Sequence, residues 1–386
     1  MRFDLPLSGV KVLDLSRVLA GPMSTMVLAD LGADVIKVEH PDRGDDTRDW
    51  GMQVAPGYTT YFSSFNRNKR STAVDISTPQ GAETIRKLAA TCDVIVENFK
   101  AGGMERFGLG YEVLQKVNPR LVYCAISGYD RAGPEASRPG YDLVVQGESG
   151  LMGINGEANS PPLKFGVAAV DLFTGMYAAQ AILASLYKTK STGKGCRIDL
   201  ALYDCGVMIS SYYGLEALLL GHNPPRYGNQ HPSIVPYGVF EAQDGPLVIA
   251  VGNNAQYRKL CNEVLHRPDL ATDERFETNL KRSKSRVELS ATLHEELLKH
   301  RKQDLLDKLA AVGIPSGQVF GLHEALTDPR TRKAGLLHSL SLPDDGEVTV
   351  LSSPWRFNGE RLPVRRPPML GEHSQQVAME LRDGGP

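Results

Sequence analysis

One aspartate lies where an acidic side chain is unexpected. Asp171 stands inside an apolar stretch, at the start of a segment, 172–187, that has a helical pattern. At a helix start an aspartate commonly accepts hydrogen bonds from free backbone N–H groups, which stabilises the helix by about 1 kcal/mol. The same N–H groups would keep the carboxylate ionised in an apolar pocket, where it would be a competent nucleophile. The residues alone leave both roles open.

Three further polar clusters could bind an anion. Residues 66–70 (NRNKR) are typical of a solvated loop, and the alternative is a cationic clamp for phosphates. Residues 98–100 (NFK), with Arg106 in the next helix, could form a strand-end turn or a shelf for a nucleotide. Residues 128–141 form a long polar loop, which is uncommon in a compact domain unless it covers something.

The common signatures of nucleotide, zinc and serine-hydrolase sites are absent from the sequence. It contains no GxGxxG, GxxxxGK[ST], HExxH or GxSxG, and its nine histidines show no metal-ligand spacing. We therefore expect no metal and no permanently bound cofactor.

Alternating strands and helices in the first half would position these groups. The strand-like segments are 9–15, 33–39, 72–75, 93–97 and 121–126, with helical segments such as 26–31 and 113–117 between them. This alternation predicts an α/β fold with a mainly parallel, helix-covered sheet. Ligands of such sheets bind at the carboxyl ends of the strands, where Ser16, Asn98 and Ser127 fall.

The second half has a different pattern. A further strand is expected at 196–201, and residues 221–236, rich in Gly, Asn, Pro and His, indicate a long loop or a domain crossing. A hairpin is expected around Asp244-Gly245, followed by charged helices. From residue 349 the chain returns to strand and loop.

Composition narrows the class of protein. A length of 386 residues suggests two or three packed units. The 43 basic and 45 acidic side chains give a formal charge of −2, which argues against binding to nucleic acid or an anionic membrane. Five scattered cysteines without a CxxC, and an acid within residues 1–4 (MRFD) where a signal peptide would be apolar, favour a reducing cytoplasm.

One segment is long enough to span a bilayer. Residues 165–187 are largely apolar but include Asp171, Thr174 and Gln180. Because an acid in lipid is costly, we expect a buried helix in a large core.

Several sequence blocks resemble the class III CoA-transferases, the family that includes formyl-CoA transferase. They are 12–22 (VLDLSRVLAGP), 33–39 with 44–48 (GDDTR), 66–71 (NRNKRS), 96–99 (VENF), 118–121 (NPRL), 127–129 (SGY) and 367–373 (PPMLGEH). The resemblance covers nearly the whole chain, in order. It implies an interlocked homodimer of ring-like subunits, each with a large Rossmann-like domain, built from both chain ends, and a smaller α+β domain.

The resemblance also suggests domain bounds. Residues 1–205 would form the large CoA-binding domain, 206–236 a linker, 237–325 the small domain, and 326–386 a return segment completing the large domain.

The family's nucleophilic aspartate corresponds to Asp171, within VDLFTGM. The implied activity is exchange of CoA between an acyl-CoA and a free carboxylic acid, through an aspartyl anhydride and an aspartyl-CoA thioester. The apolar setting of Asp171 would exclude water, which would otherwise hydrolyse the thioester.

The CoA contacts implied by the resemblance fall at strand ends. They are Arg17, Val18, Leu19, His40, Val74, Asp75, Ile76, Ser77, Asn98, Phe99, Lys100 and Arg106, with Lys69 and Arg70 as further cations. His40 stands where formyl-CoA transferase has an arginine, and Ser77 where it has a lysine. Leu19 replaces a glutamine of that enzyme, which weakens a formate or oxalate assignment.

Two alternatives follow from the same superfamily, and a third needs no catalysis. Acyl-CoA racemases use a histidine–aspartate pair, and the histidine position corresponds here to Tyr141, whose phenol is a poor base for an α-proton. A transferase is therefore favoured, with Asp142 orienting groups around the anhydride or simply paired at the surface. A formyl- or acetyl-CoA:oxalate-type transferase and a non-catalytic CoA-binding dimer remain alternatives.

The segment 231–237 (HPSIVPY), after 226–229 (RYGN), resembles the dicarboxylate-using members, such as succinyl-CoA:glutarate CoA-transferases. Asn229, His231 and Tyr237 could hold the far carboxylate of a diacid. A structural inter-domain loop is the alternative. The predicted substrates are thus an acyl-CoA, such as succinyl-CoA, and a carboxylate.

Overall fold

The computed structural model describes residues 5–343 and 346–382; the amino-terminal residues 1–4 lie outside this part. The chain forms two compact units. The first comprises residues 1–151, 164–219 and 329–386, and the second comprises 152–163 and 220–328. The first unit therefore takes its chain from both ends and from the middle of the sequence.

Thirteen strands and eighteen α-helices are present in the described residues, together with a 3-10 helix (Asp46–Asp49) and a π-helix (Leu260–Val264). The strands are β1 (Lys11–Asp14), β2 (Asp34–Glu39), β3 (Gln53–Ala55), β4 (Tyr58–Thr59), β5 (Arg70–Ala73), β6 (Val94–Glu97), β7 (Val122–Ser127), β8 (Cys196–Ala201), β9 (Tyr237–Ala242), β10 (Gly245–Ala250), β11 (Ser316–Gln318), β12 (Leu337–Ser341) and β13 (Glu347–Leu351). The helices of the first half are α1 (Ala20–Asp30), α2 (Thr60–Phe65), α3 (Pro79–Thr91), α4 (Gly103–Arg106), α5 (Tyr111–Val117), α6 (Asp142–Glu148), α7 (Leu151–Ile154) and α8 (Ala169–Thr192). Those of the second half are α9 (Leu202–Ile209), α10 (Ser211–Leu220), α11 (Asn254–Lys259), α12 (Pro268–Thr272), α13 (Asn279–Lys284), α14 (Arg286–Leu297), α15 (Lys302–Ala311), α16 (Leu322–Thr327), α17 (Pro329–Ala334) and α18 (Ser374–Arg382).

A six-stranded parallel sheet organises the first unit and confirms the α/β prediction. Its order is β5-β2-β1-β6-β7-β8, and every neighbouring pair is parallel. Helices cover both faces, which is why β6 and β7 consist of nearly continuous buried residues. The strand order reverses between β1 and β6. Their carboxyl ends therefore flank a crevice at the usual binding position of such sheets.

Helix α8 packs against α1 at very close range. A Cβ on Gly175 would lie 2.7 Å from the carbonyl oxygen of Ala20 and 2.8 Å from Cβ of Met23. Only glycine therefore allows this approach, which brings the second turn of α8 to the first turn of α1.

Burial of α8 is confined to one face. By length and composition this helix could cross a membrane. Its buried residues include Val170, Ala178 and Ile182, whereas Phe173 and Tyr177 on the other face are exposed. The predicted buried core helix is thus buried on one face and exposed on the other.

The carboxyl-terminal segment of the first unit binds along β5, at the edge of the sheet. The backbone N–H of His373 donates to the carbonyl of Ser71 at 2.9 Å, and that of Ala73 donates to the Ser374 hydroxyl at 3.0 Å. Arg70 forms ion pairs with Asp34 at 2.6 Å and Glu380 at 2.8 Å. These contacts cover an edge that would otherwise expose unpaired backbone groups.

The second unit is built on a smaller antiparallel sheet of order β11-β10-β9. The β9–β10 hairpin turns at Asp244, as predicted. Its core contains Leu247, Ile249, Leu289 and Leu305, contributed by the hairpin, α14 and α15. Residues 221–236 contain turns and one isolated bridge but no helix or longer strand.

Candidate active site

The site is built at the crevice where β1 and β6 end. The backbone N–H of Arg17 donates to Oδ1 of Asn98 at 2.9 Å, and Nδ2 of Asn98 donates to the carbonyl of Arg17 at 2.8 Å. One asparagine side chain thus joins the loops that follow the two strands. This connection gives the loop after β1 a fixed position beside the first turn of α1.

The loop after β1 contains an unusual backbone conformation. Val18 has φ +70°, a region that β-branched residues rarely adopt. Its N–H lies 3.3 Å from both carboxylate oxygens of Asp45, and Asp45 in turn pairs with the buried Lys37 ammonium at 2.8 Å. Strain of this kind persists only where neighbouring groups hold it in place. The Lys37–Asp45 pair is the group that does so here.

A buried charge network lies beneath this loop. The Lys69 ammonium is 2.9 Å from Asp14, and Arg67 pairs with Asp30 at 2.5 Å. Burial lowers the pKa of Lys69 to about 8, although Asp14 opposes the shift. Burial also disfavours the charge on Lys37, but Asp45, Asp14 and Glu39 outweigh it and raise the pKa of that lysine.

This network corrects the prediction for residues 66–70. Asn66, Arg67, Asn68 and Lys69 are buried, and Arg70 is paired at the sheet edge. The segment is neither a solvated loop nor a phosphate clamp. Lys69 and Arg70 are therefore not available to CoA.

Asp171 is the third residue of α8 and is half-buried. It does not cap the helix: Oδ1 of Asp142 accepts the N–H groups of Val170 at 2.8 Å and Asp171 at 3.2 Å. Within the described residues no group donates to the Asp171 carboxylate. Burial, and then the negative charge of Asp142, raise the pKa of Asp171 to about 7. The expectation that the helix start keeps this acid strongly ionised was therefore wrong, because Asp142 occupies those N–H groups.

Two adjoining cavities contain the predicted cofactor-site residues. The larger, of about 480 Å³, is lined by Asp171 and Tyr141 together with Arg17, Val18, Leu19, Asn98, Phe99, Lys100 and Arg106. The smaller, of about 170 Å³, is lined by Arg17, His40, Val74, Asp75, Ile76, Ser77 and Phe99. All twelve residues expected to contact CoA therefore line one or both cavities.

Other predicted substrate residues lie elsewhere. Tyr141 is 65% exposed at the larger cavity, and Asp142 caps α8. Asn229, His231 and Tyr237 belong to the second unit, where the rings of His231 and Tyr237 stack with centroids 5.1 Å apart. Nδ1 of His231 accepts the N–H groups of Ser233 and Ile234, so the neutral ring carries its proton on Nε2.

Sequence reasoning missed two residues that line the cavities and a third, Tyr61, whose pKa responds to the charge of Asp171. Tyr61, in α2, lies close enough to Asp171, Asp142 and Asp45 for their charges to add to burial and raise its pKa to about 12. Its hydroxyl thus stays protonated and can donate. Arg43 and Phe107 line both cavities. The only sequence signal for any of them was the aromatic run TTYFSSF around Tyr61.

The acidic and basic side chains of the site are distributed as follows. Among residues 5–343 and 346–382 there is no group of three or more His, Cys, Asp or Glu side chains that could hold a metal ion. The nucleophile candidate is a carboxylate in a partly apolar wall, with cationic side chains along the adjoining cavities.

Comparisons with known proteins agree with one another and cover nearly the whole chain. The profile of CoA-transferase family III matches residues 7–374. A succinate–glutarate CoA-transferase of Agrobacterium fabrum is 43% identical over 97% of this chain and 96% of its own length. The succinyl-CoA:glutarate CoA-transferase of Homo sapiens is 41% identical, over 97% of this chain and 86% of its own. The crystal structure of a CAIB/BAIF family protein from Brucella suis superposes with a TM-score of 0.87 at 42% identity, covering 98% of this chain and all of that one.

Proposed function

The chain belongs to CoA-transferase family III, and we propose that it moves CoA from succinyl-CoA to a free carboxylic acid such as glutarate, with Asp171 as the nucleophile. The observation that carries this proposal is the position of Asp171. Its carboxylate has no hydrogen-bond donor within the described residues and lines the cavity shared with Arg17, Asn98 and Lys100. A thioester bound along these cavities would present its carbonyl to that carboxylate.

The reaction is an exchange of bonds without net redox change. A carboxylate oxygen of Asp171 attacks the thioester carbonyl, the C–S bond breaks, and CoA leaves as a thiolate from an aspartyl–succinyl anhydride. The thiolate then attacks the Asp171 carbonyl, which releases succinate and leaves an aspartyl-CoA thioester. The acceptor acid reverses both steps and regenerates Asp171.

Neighbouring groups have defined parts in this proposal. Asp142 positions the first turn of α8, and its charge adds to burial in raising the pKa of Asp171. The half-buried setting limits water, which would hydrolyse the anhydride and the thioester.

A crossed substrate screen tests the function. Succinyl-, acetyl-, oxalyl- and formyl-CoA are each mixed with mono- and dicarboxylic acids, and products are read by mass spectrometry. We expect transfer between succinyl-CoA and C5 or related diacids, trapping of an adduct on Asp171 by hydroxylamine, and no transfer by Asp171→Ala. Full transfer by that variant would overturn the proposal. Deuterium entering the α-position without an acceptor would indicate a racemase, and CoA binding without transfer a non-catalytic protein.

We assign the far carboxylate of the diacid to Asn229, His231 and Tyr237. Support comes from the fixed tautomer of His231, which directs an Nε2–H donor, and from the stacking of that ring on Tyr237. Burial and the charge of Arg286 lower the pKa of His231, so the ring acts as a neutral donor near pH 7.

We also propose an interlocked homodimer. Helix α10 has no buried residue, and Leu218 and Leu219 are 81% and 88% exposed. An apolar helix of this kind is usually covered by another surface, and a second copy of the chain is the partner that the family resemblance implies.

We place the reaction in the cytoplasm. All five cysteines are unpaired thiols, four of them buried, which suits a reducing compartment. Subcellular fractionation checks the assignment.

A further inference from the structure

The two cavities of the first unit meet at a junction of charged and aromatic side chains. Four residues line both cavities: Arg17, Arg43, Phe99 and Phe107. An elongated ligand that occupies both cavities must pass between two guanidinium groups and two phenyl rings. This combination suits the anionic part of a nucleotide.

The two guanidinium groups at the junction differ in their contacts. Arg17 pairs with Asp46 at 3.2 Å and lies 5.9 Å from the ring centroid of Phe99. Arg43 is exposed and makes no hydrogen bond or ion pair with any residue in the described part of the chain. Its five donors are therefore available to a ligand.

A tight turn presents Arg43 at this place. The N–H of Gly44 donates to the carbonyl of His40 at 2.9 Å, and Gly44 has φ +63°. A Cβ on Gly44 would lie 2.8 Å from Cδ of Arg48, so the turn requires glycine. The backbone that carries Arg43 is thus fixed on the side facing the cavities.

The nearby side chains offer less to a phosphate. The hydroxyl and N–H of Ser77 both donate to Oδ1 of Asp75, at 2.6 and 2.9 Å. Nδ1 of His40 accepts the N–H of Asp42, so the neutral ring offers one donor, Nε2–H. Asp75 itself is an anion that a phosphate would avoid.

We propose that Arg43 binds a phosphate of CoA at the junction of the two cavities and thereby selects phosphorylated acyl carriers. The inference rests on the proposed function, which makes CoA the ligand. It assigns the phosphate contact to a residue outside the twelve predicted from the sequence. It also explains how a site with His40 and Ser77 at the smaller cavity can still bind a polyanion.

Equilibrium binding tests this assignment separately from catalysis. CoA and 3′-dephospho-CoA are titrated by calorimetry, and pantetheine by ligand NMR, into the wild-type protein, Arg43→Ala and Arg43→Lys. We expect Arg43→Ala to raise the Kd for CoA about tenfold and to leave pantetheine binding unchanged, with partial recovery in Arg43→Lys. Arg86→Ala is the matched control, because this partly exposed arginine pairs with Glu83 and lines neither cavity.

The three ligands also identify the phosphate. If Arg43→Ala does not weaken the binding of 3′-dephospho-CoA, Arg43 binds the 3′-phosphate. If Arg43→Ala weakens the binding of 3′-dephospho-CoA as much as that of CoA, Arg43 binds the pyrophosphate. An unchanged Kd for CoA, or equal weakening of pantetheine, would overturn the assignment. Intact CoA binding by a wild-type protein that transfers no CoA would contradict the proposed function alone.

Discussion

Burial raises the pKa of Asp171, and the negative charge of one neighbouring side chain, Asp142, raises it further. Because the pKa of Asp171 is raised to about 7, the proposed nucleophile is ionised above that pH, and activity should rise as pH increases through 7. Asp142→Asn removes a like charge but keeps an oxygen that can accept the N–H of Val170. We expect the rising limb of kcat/KM against pH to move down by roughly one unit. If the midpoint of the rising limb stays at pH 7 in this variant, Asp142 does not contribute to the raised pKa of Asp171.

The Lys37–Asp45 pair offers a second test at the residue scale. Both side chains are fully buried, and Lys37→Met would leave Asp45 without its partner. We expect a loss of about 3–5 kcal/mol in the free energy of unfolding, measured by urea denaturation at pH 7. The control is Lys281→Met, which breaks an exposed pair with Glu277 and should cost less than about 1 kcal/mol.

The sign of the pH dependence gives a further check on this pair. Lys37 holds the pKa of Asp45 below its usual range against the effect of burial. The stabilisation is therefore present above the unfolded value of 3.8 and is lost as pH falls through the folded pKa. The difference between wild type and Lys37→Met should shrink in acid; a constant difference down to pH 2 would contradict the assignment.

Residue-scale roles were the hardest to predict from the sequence. Lys69 is basic in any pattern, but its partner Asp14 is 55 positions away, so burial could not be inferred from neighbours in the chain. Asp171 was recognised by its apolar surroundings, whereas the residue that caps its helix, Asp142, approaches from another helix. Whether a charged side chain is buried or exposed depends on tertiary contacts, and the periodicity of apolar residues in the sequence does not show those contacts.

At the scale of elements, the approach of α8 to α1 positions Asp171, the proposed nucleophile. Gly175→Ala would place a Cβ within 2.8 Å of Ala20 and Met23, so the helices must separate. We expect a loss of about 1–3 kcal/mol in the free energy of unfolding and a fall in kcat, because Asp171 lies one turn earlier on α8. Gly153→Ala, where nothing lies within 4 Å of the added Cβ, is the control. Retained stability and kcat in Gly175→Ala would argue against this role.

The loop that contains His231 is held by side chains of α13 and α14. Asn279 accepts the N–H of Val235 and donates to the carbonyl of Ser233, Arg282 donates to the carbonyl of Val235, and Arg286 donates to the carbonyl of His231. Arg282 is fully buried, and every group that accepts a hydrogen bond from its guanidinium in these contacts is neutral. The loop is therefore attached mainly through its backbone carbonyl and N–H groups.

Asn279→Ala tests whether this attachment matters for the acceptor acid. We expect faster amide hydrogen exchange across residues 231–236 and a several-fold higher KM for the acid, with the KM for succinyl-CoA unchanged. Lys284→Ala, on the exposed side of α13, should change neither quantity. Faster exchange without any change in KM would indicate a purely structural loop.

The elements themselves were largely predictable. Alternation of apolar residues indicated the six parallel strands within two residues at most ends, because strands covered on both faces are short and strongly apolar. Helix α10 was not identified, since its sequence, SYYGLEALLL, is apolar all round and shows no amphipathic period. The close contact at Gly175 could not be predicted from the sequence either, because a glycine within a helical segment can have several structural causes.

At the scale of the whole molecule, an interlocked dimer makes a prediction that an ordinary dimer does not. Two subunits threaded through each other cannot separate unless one chain opens, so dilution alone should not dissociate them. We expect a mass near twice 42.1 kDa at all concentrations, measured by light scattering. Tagged and untagged dimers mixed under native conditions should form no hybrids over days, whereas hybrids should appear after unfolding and refolding together. Hybrid formation within minutes in native buffer would contradict the interlocked arrangement. The exposed apolar face of α10 would then be an interface between subunits that associate side by side.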